Sequence, residues 1–198
     1  MAACVKQAGG NVDELSKAKA QKAVVKNETL NADIAVVGAG AAGQTAAIRA
    51  SQLGKKVILI EKMPYLGGDT ILNAGTLIAT GSRYQRDVMK ETKDSPELAY
   101  KDIMHVGKNR NDPVLVKMVI EKAGSVVDWL IDDLKIPYGP AATQYPDHSA
   151  SRQLGVTGRS PNFIRTMARI FTDHGGKILM ETRATSLIYK GGRVDGVQ

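Results

Sequence analysis

The clearest pattern along the chain is a pair of short, uninterrupted apolar runs with an alanine-rich stretch between them. The runs are "IAVV" at residues 34–37 and "VILI" at residues 57–60, and the stretch at residues 41–53 ends before Gly54. Apolar runs without alternation are typical of strands in a parallel sheet that helices cover on both faces. Because a parallel pair needs a long crossover, we predict a β-α-β unit here.

Further helices and strands are predicted from capping signals and apolar spacing. Three polar residues each precede a proline, which is typical of an N-cap followed by the first helical position: Ser95, Asp112 and Ser160. Together with the spacing of apolar residues, these signals predict helices over residues 96–106, 113–122, 125–134 and 161–174. The rest of the pattern predicts strands over residues 177–181, 184–189 and 193–197, the last two forming a hairpin.

The expected fold is an α/β, Rossmann-like domain with a parallel sheet, helices on both faces and the start of a β-meander. We expect residues 1–31 to form an arm or linker, because they are rich in lysine, alanine and glutamine and Gly9-Gly10 interrupts them. The domain then occupies residues 32–198. Since the chain ends within a predicted hairpin, we interpret it as the N-terminal, incomplete part of a longer domain.

Composition narrows the class of protein. The chain has 27 Lys+Arg against 20 Asp+Glu, a net charge of +7, which favours anionic ligands. The lysines near the N-terminus have no aromatic neighbours, so a solvated arm is favoured over a nucleic-acid contact. The single cysteine, Cys4, excludes a disulfide framework, a four-cysteine zinc site and a C-x-x-C-H haem attachment. No metal site is predicted.

The first residues and the hydropathy of the chain bear on its cellular location. Met1-Ala-Ala-Cys4 resembles the end of a bacterial lipoprotein signal, but the charged and apolar segments that precede such a cysteine are missing. Both the bacterial periplasm or cell envelope and the cytoplasm therefore stay open. No run approaches eighteen consecutive apolar residues, so no membrane span is predicted.

A glycine motif stands between the first apolar run and the alanine-rich stretch. Gly38, Gly40 and Gly43 have the spacing G-x-G-x-x-G, directly after a predicted strand and at the start of a predicted helix. In this context the first glycine makes the turn, the second lets the backbone approach a pyrophosphate, and the third lets the helix pack on the strand. The helix N-terminus adds N–H donors and the positive end of its dipole. The motif therefore predicts a dinucleotide site.

The acid after the second apolar run selects among the dinucleotides. Glu61 lies 18 residues after Gly43, where its carboxylate would accept hydrogen bonds from both ribose hydroxyls of an adenosine and repel the 2′-phosphate of NADP. Residues 61–79 favour FAD over NAD, because they hold Gly67-Gly68 and small polar residues without helical spacing, whereas an NAD enzyme would begin its next crossover helix there. An NAD-dependent dehydrogenase remains an alternative.

Six stretches between residues 33 and 198 carry a resemblance to a known family. They are "VVGAGAAG", "VILIEK", "GGDTILNAG", "SPELAYKDIMHVGKNRNDPVLVK", "SVVDWL" and "GGKILMETRATSLI…GGRVDGV". In these stretches the chain resembles the FAD-dependent fumarate reductase and flavocytochrome c family, which also contains urocanate reductases and ketosteroid dehydrogenases. The resemblance implies that this chain is the N-terminal part of the flavoprotein domain and lacks the capping domain.

The resemblance also implies a set of cofactor-binding residues. The backbone around Ala42 would meet the pyrophosphate, Glu61 with Lys62 would hold the adenosine ribose, and Ala184 would lie near the adenine. Residues 69–75 would approach the flavin. The full predicted set is Gly38, Gly40, Ala41, Ala42, Gly43, Glu61, Lys62, Gly68, Asp69, Thr70, Asn73, Ala74, Gly75 and Ala184. Membrane-bound relatives attach FAD through a histidine in this segment, and since none occurs between residues 61 and 84, we expect non-covalent FAD.

The substrate side departs from the family. Soluble fumarate reductases carry His-Arg-Pro where this chain has Ser151-Arg152-Gln153, so Arg152 is retained and its neighbours differ. His148 lies close to this motif and is a candidate to touch a ligand, whereas His105 and His174 are interpreted as structural. The catalytic acid of the family lies after the capping domain, so no catalytic residue is assigned here.

The function implied by the resemblance is that of an FAD oxidoreductase. In the family, reduced flavin transfers hydride to the activated C=C bond of a fumarate-like unsaturated acid, and the electrons would come here from a separate donor protein, a further domain or a reduced carrier. We expect residues 1–198 alone to hold flavin without completing turnover. The alternatives are a flavin dehydrogenase acting on a ketosteroid-like substrate and an inactive nucleotide-binding fragment.

Overall fold

A computed structural model of the chain describes residues 28–198, without the side chains of residues 140–143. The N-terminal lysines and Cys4 lie outside the described residues, so the arm stays a prediction. The helices described are α1 (Ala41–Gln52), α2 (Arg83–Asp87), α3 (Pro96–Val106), α4 (Pro113–Asp132) and α5 (Arg159–Asp173), with a 3₁₀ helix at Gly68–Leu72. The strands described are β1 (Ile34–Val37), β2 (Val57–Ile60), β3 (Thr76–Ile78), β4 (Tyr138–Thr143), β5 (Gln153–Val156), β6 (Lys177–Leu179), β7 (Leu187–Lys190) and β8 (Arg193–Val197).

The first sheet is parallel and has the strand order β1-β2-β6. Ile60, the last residue of β2, lies between Val37 of β1 and Leu179 of β6, so the three strands end together. This arrangement confirms the predicted β-α-β unit and the α/β fold. Because the carboxyl ends of parallel strands meet at one edge, the loops that follow β1, β2 and β6 lie side by side.

Two antiparallel sheets accompany the parallel one. A three-stranded sheet has the order β3-β5-β4, and β7 pairs with β8 as the predicted hairpin. The three-stranded sheet was not predicted from the sequence, because its strands are short and β4 contains Gly139 and Pro140. The predicted strands around β6 and β7 were too long: β6 ends at Leu179 and β7 begins at Leu187.

The main hydrophobic core lies between the parallel sheet and helices α1 and α5. All four residues of β2 are buried, and α1 supplies Ala47 and Ile48 from its inner face. Helix α5 presents a one-sided apolar face, as its spacing predicts, with Phe163, Ile164, Met167, Ile170 and Phe171 buried. This core fixes the N-terminus of α1 against the end of β1.

The prediction of two helices over residues 113–122 and 125–134 was wrong, since α4 runs unbroken from Pro113 to Asp132. The glycine between the two predicted segments, Gly124, is there for packing. A Cβ at that position would lie 2.6 Å from the carbonyl carbon of Gly81, so only glycine lets this loop approach the helix so closely. The glycine therefore marks a close contact between helix α4 and the loop at Gly81.

The prediction that Ser160 caps α5 was also wrong. The helix begins at Arg159, and its N-cap is Gly158, in the left-handed conformation with φ +79°. Ser160 is buried, and its backbone nitrogen would lie 2.7 Å from a Cβ at Gly75. The start of α5 thus packs tightly on the segment that carries several of the predicted flavin-binding residues.

Candidate functional site

The glycine motif forms the turn from β1 into α1. Gly38 has φ +98°, a left-handed conformation that glycine adopts without strain, and its N–H donates to the carbonyl of Ile60 at 2.8 Å. Gly43 lies so close to the Gly38 carbonyl that a Cβ at this position would overlap the oxygen. The third glycine therefore has the packing role expected from the motif, and the positive end of the α1 dipole lies directly behind the turn.

Ala39, within the turn, connects three parts of the predicted site. Its N–H donates to Oε2 of Glu61 at 2.9 Å. Its carbonyl oxygen accepts from the N–H of Gly67 at 3.0 Å and from Nε2 of Gln44 at 3.0 Å. The residue is completely buried. One alanine backbone thereby holds the glycine turn, the acid after β2 and the Gly67-Gly68 segment together.

Glu61 follows the last residue of β2 and is 6% exposed. Its Oε1 accepts from the N–H of Met63 at 2.9 Å, in addition to the bond from Ala39 to Oε2. Burial by itself raises the pKa of this carboxyl, but hydrogen bonds from backbone N–H groups and the charge of Lys62 outweigh burial and leave the pKa lowered. The side chain is therefore a fixed carboxylate, with lone pairs left to accept further hydrogen bonds.

The segment after Glu61 is docked on the glycine turn. Gly67 has φ +115° and forms a parallel bridge with Gly40. Thr70, in the 3₁₀ helix, accepts a hydrogen bond at Oγ1 from the N–H of Ala41 at 3.2 Å, which satisfies one donor at the start of α1. Asn73 accepts at Oδ1 from the N–H of Gly75 at 2.7 Å. These contacts give the Gly67–Gly75 segment a defined path beside the helix N-terminus.

A cavity of about 880 Å³ opens at this edge of the sheet, a volume in the range typical of small-molecule sites. Seven of the predicted cofactor-binding residues line it: Gly38, Gly40, Glu61, Lys62, Gly68, Asp69 and Ala184. The other lining residues were not predicted: Val37, Ala39, Ile60, Met63, Tyr65, Ile71, Leu72, Thr182 and Arg183. The structure thus brings together residues from the loops after all three parallel strands.

The remaining predicted residues do not line the cavity. Three are in the first turn of α1 and four are in the segment after the 3₁₀ start: Ala41, Ala42, Gly43, Thr70, Asn73, Ala74 and Gly75. Gly75 packs against the backbone of Arg159 and Ser160 rather than against open space. Their contacts with a cofactor stay predictions.

Thr182 and Arg183 were missed although Ala184, directly after them, was predicted. The N–H of Thr182 donates to the carbonyl of Glu61 at 2.9 Å, which ties the loop after β6 to the end of β2. Among the apolar lining residues that were also missed, Tyr65 and Leu72 are 50% and 84% exposed. An exposed tyrosine and leucine after a strand carry no sequence signal that separates them from an ordinary loop.

Arg152 and His148 lie in a buried polar cluster and do not line the cavity. The Arg152 guanidinium, 2% exposed, pairs with Asp94 (Nη2 to Oδ1, 2.8 Å) and with Asp102 (Nη1 to Oδ2, 2.6 Å), and its Nη1 also lies 2.7 Å from Nδ1 of His148. Burial opposes ionisation of these groups, but the mutual hydrogen bonds outweigh it, so the pKa of both aspartates is lowered and that of Arg152 is raised. In this structure Arg152 forms ion pairs with two carboxylates.

Two kinds of feature are absent from residues 28–198. Within this range, no helix combines the length and the hydropathy that crossing a bilayer requires. No group of three or more histidine, cysteine, aspartate or glutamate side chains in the same range is arranged to hold a metal ion.

Comparison with known proteins identifies the family. The family model described as "FAD binding domain" matches residues 33–198. An NADH:fumarate oxidoreductase of Klebsiella pneumoniae (strain 342) is 33% identical over 172 residues, which cover 84% of this chain and 18% of the relative. A 4-oxocyclohex-2-ene-1-carboxylate 5-dehydrogenase of Sinomonas cyclohexanicum is 43% identical over 165 residues, covering 82% of this chain and 27% of the relative.

The fold recurs in a solved flavoprotein. The open conformation of a flavocytochrome c3 fumarate reductase superposes with a TM-score of 0.72 at 24% identity. The match covers 94% of this chain and 34% of that one. The chain therefore spans 18% to 34% of the length of these three proteins. By the match over residues 33–198, the chain belongs to the FAD binding domain family, and its relatives include fumarate reductases.

Proposed function

We propose that this chain is the FAD-binding portion of an oxidoreductase that transfers hydride from reduced flavin to the activated C=C bond of a fumarate-like unsaturated acid. The family supports a flavin oxidoreductase in general. The finer assignment is supported by the relative named NADH:fumarate oxidoreductase and by the likeness to a flavocytochrome c3 fumarate reductase. A small unsaturated acid as substrate and a separate electron donor belong to the same proposal.

The observation that carries the proposal is the carboxylate of Glu61 fixed beside the glycine turn. FAD needs an acceptor for its ribose hydroxyls and N–H donors for its pyrophosphate. Glu61, held by the N–H of Ala39, and the N-terminus of α1 meet this requirement at one cavity. A Cβ on Gly38 would meet no atom within 4 Å, so the turn leaves room for a ligand. The residues present therefore fit FAD.

Each part of the cavity has a separate role under this proposal. Glu61 accepts hydrogen bonds from the adenosine ribose, and the backbone N–H groups of the turn face the pyrophosphate. Lys62 and Arg183 add positive charge to the cavity wall, which balances the phosphates. Bound FAD would supply the hydride that reduces the substrate, while this chain holds and orients the nucleotide.

FAD is proposed to bind without a covalent bond. The residues between Glu61 and Tyr84 include no histidine, and Asp69 lines the cavity in the segment where membrane-bound relatives attach their flavin. Release of the intact cofactor on denaturation would support this assignment. Retention of flavin by the denatured polypeptide would contradict it.

A second candidate function is a flavin dehydrogenase that works in the opposite direction on a cyclic ketone. The observation that favours it is the 43% identity to a relative named 4-oxocyclohex-2-ene-1-carboxylate 5-dehydrogenase. Both candidates need the same FAD site, so the site does not separate them. In a longer protein that contains this domain, reoxidation of reduced flavin by fumarate would favour the reductase, and flavin reduction by a cyclic ketone would favour the dehydrogenase.

The experiment for the FAD site itself is a calorimetric titration of the purified chain with FAD. The proposal expects saturable binding by the wild-type chain and weaker binding by Glu61→Gln. The matched control is Glu121→Gln, because Glu121 is an exposed residue of α4 outside the cavity. Equal affinity of the wild type and Glu61→Gln for FAD would remove the basis of the proposal.

A further inference from the structure

Gln44 is a completely buried polar side chain beside the glycine turn. Its Nε2 donates to the carbonyl oxygen of Ala39, in the turn, at 3.0 Å. Its Oε1 has no hydrogen-bond partner within residues 28–198. Exchanging the positions of Oε1 and Nε2 would not give Oε1 a partner, because Oε1 would then face the carbonyl oxygen of Ala39, which is also an acceptor.

Glutamine is a poor choice at this position for the stability of the fold. A buried amide with an unpaired oxygen is less favourable than an apolar side chain of the same volume. The carbonyl of Ala39 also accepts from Gly67, so it would keep a partner if Gln44 were replaced. Methionine or leucine would therefore fill the space at little cost to the stability of the fold. The reason for an amide at this position must lie in the hydrogen bond that its Nε2 donates.

The side-chain Nε2–H of Gln44 helps to fix the plane of the peptide between Ala39 and Gly40. In a trans peptide the C=O and N–H groups point in opposite directions. The Ala39 carbonyl is drawn into the interior by Gln44 and Gly67, so the N–H of Gly40 points the other way. Gly40 lines the cavity. Together with the N–H of Gly67, the buried amide thus sets the direction of a backbone donor at the place where a pyrophosphate would lie.

We propose that Gln44 is a positioning residue of the nucleotide site, which orients the Ala39–Gly40 peptide toward the pyrophosphate of FAD. This inference rests on the proposed function, since it requires that the cavity bind a dinucleotide. Gln44 does not touch the ligand and acts only through the peptide that it holds. The probe for this subsite is ADP, which carries the pyrophosphate and adenosine without the flavin.

The test compares Gln44→Met with the wild-type chain in thermal unfolding and in calorimetric titration with FAD and ADP. We expect the Tm of the ligand-free variant to stay unchanged or to rise, and the Kd for both ligands to increase about three- to tenfold, the effect of one lost hydrogen bond. A purely structural glutamine would instead lower the Tm. The amide signal of Gly40 in ¹H–¹⁵N spectra should shift on ADP addition in the wild type and shift less in the variant.

The matched control is Gln85→Met, which removes another buried glutamine. Gln85 is 2% exposed, donates from Nε2 to Oδ2 of Asp94 at 2.7 Å and does not line the cavity. This variant should lower the Tm and leave both Kd values unchanged. Gln44→Leu serves as a second variant, and if neither it nor Gln44→Met unfolds cooperatively, Gln44 is structural and the inference is overturned.

The outcomes separate this inference from the proposed function. If the wild-type chain binds neither FAD nor ADP, the proposed function fails for this chain and the inference falls with it. If the wild type binds FAD, Glu61→Gln weakens binding and Gln44→Met does not, the site stands and only the role of Gln44 is overturned. Weaker binding by Gln44→Met with an undiminished Tm supports the inference.

Discussion

The N–H of Ala39 donates to Oε2 of Glu61 at 2.9 Å, across 22 residues of sequence. This bond joins the loop after β1 to the end of β2 and so links the acid to the glycine turn. A carboxylate held in this way keeps its acceptor atoms in place before any ligand arrives. Preorganisation of this kind reduces the entropic cost of binding.

The first prediction concerns that carboxylate. Glu61→Gln removes the charge and replaces one acceptor oxygen by an NH₂ group that faces backbone N–H donors. Because charge-assisted hydrogen bonds contribute about 1.5–3 kcal/mol, we expect the Kd for FAD to rise by about tenfold or more. Calorimetric titration measures this change, with Glu121→Gln as the control that should match the wild type.

The second prediction separates binding from folding at the glycine turn. Gly40 has φ −71°, and a Cβ there would make ordinary contacts, the nearest being 3.6 Å to the carbonyl oxygen of Gly67. Gly40→Ala should therefore fold with an unchanged Tm, while its methyl group takes the space that a pyrophosphate needs. We expect FAD affinity to fall by about tenfold or more, as for the loss of close backbone approach.

Gly43→Ala provides the contrast to Gly40→Ala. Its Cβ would overlap the Gly38 carbonyl, so α1 would have to move away from β1 and the free energy of unfolding should drop. Gly155→Ala, with no atom within 4 Å of the added Cβ, is the control for a tolerated substitution. A stable Gly43→Ala variant with full FAD affinity would show that the turn is looser than the structure describes.

The glycine motif and Glu61 were predictable because they depend on local spacing. The apolar runs have the same bounds as β1 and β2, and the motif lies between them, within a single β-α-β unit. By contrast, Arg183 and Tyr65 reach the cavity through the lengths of loops after β6 and β2, which no periodicity encodes. Gln44 was not predicted either, because the sequence of an alanine-rich helix does not reveal which side of the helix a polar residue faces.

Arg152 shows the limit of a resemblance carried over by sequence alone. The arginine is present where the family carries one, but its guanidinium is enclosed by Asp94 and Asp102. Those two aspartates lie 58 and 50 residues earlier in the chain. Their convergence depends on how α3 and the preceding loop pack against β5, which is a tertiary property without a local signal.

The third prediction is that Arg152 stabilises the fold. Arg152→Met would leave two buried carboxylates without their cation, a change that typically costs about 3–5 kcal/mol. Urea unfolding should show this loss. Arg83→Met, which removes an arginine with 61% side-chain exposure, should change the unfolding free energy by less than about 1 kcal/mol. Similar losses in the two variants would contradict the role of the buried cluster.

The fourth prediction follows from the lowered pKa of Asp94 and Asp102. An aspartate whose pKa is lower in the folded chain stabilises the fold fully above its unfolded pKa, and this contribution is lost as the pH falls through the folded value. The free energy of unfolding should therefore decrease below about pH 5. Urea unfolding across this range should be less steeply pH-dependent for Asp94→Asn/Asp102→Asn/Arg152→Met, and an equal slope would argue against the cluster.

Calorimetric titration of the purified chain with FAD, and separately with NAD, decides whether the cavity is an FAD site. We predict that one FAD binds per chain, that Glu61→Gln and Gly40→Ala weaken its binding, and that NAD binds far less tightly. Preferential binding of NAD, or FAD binding that neither substitution affects, would contradict this assignment.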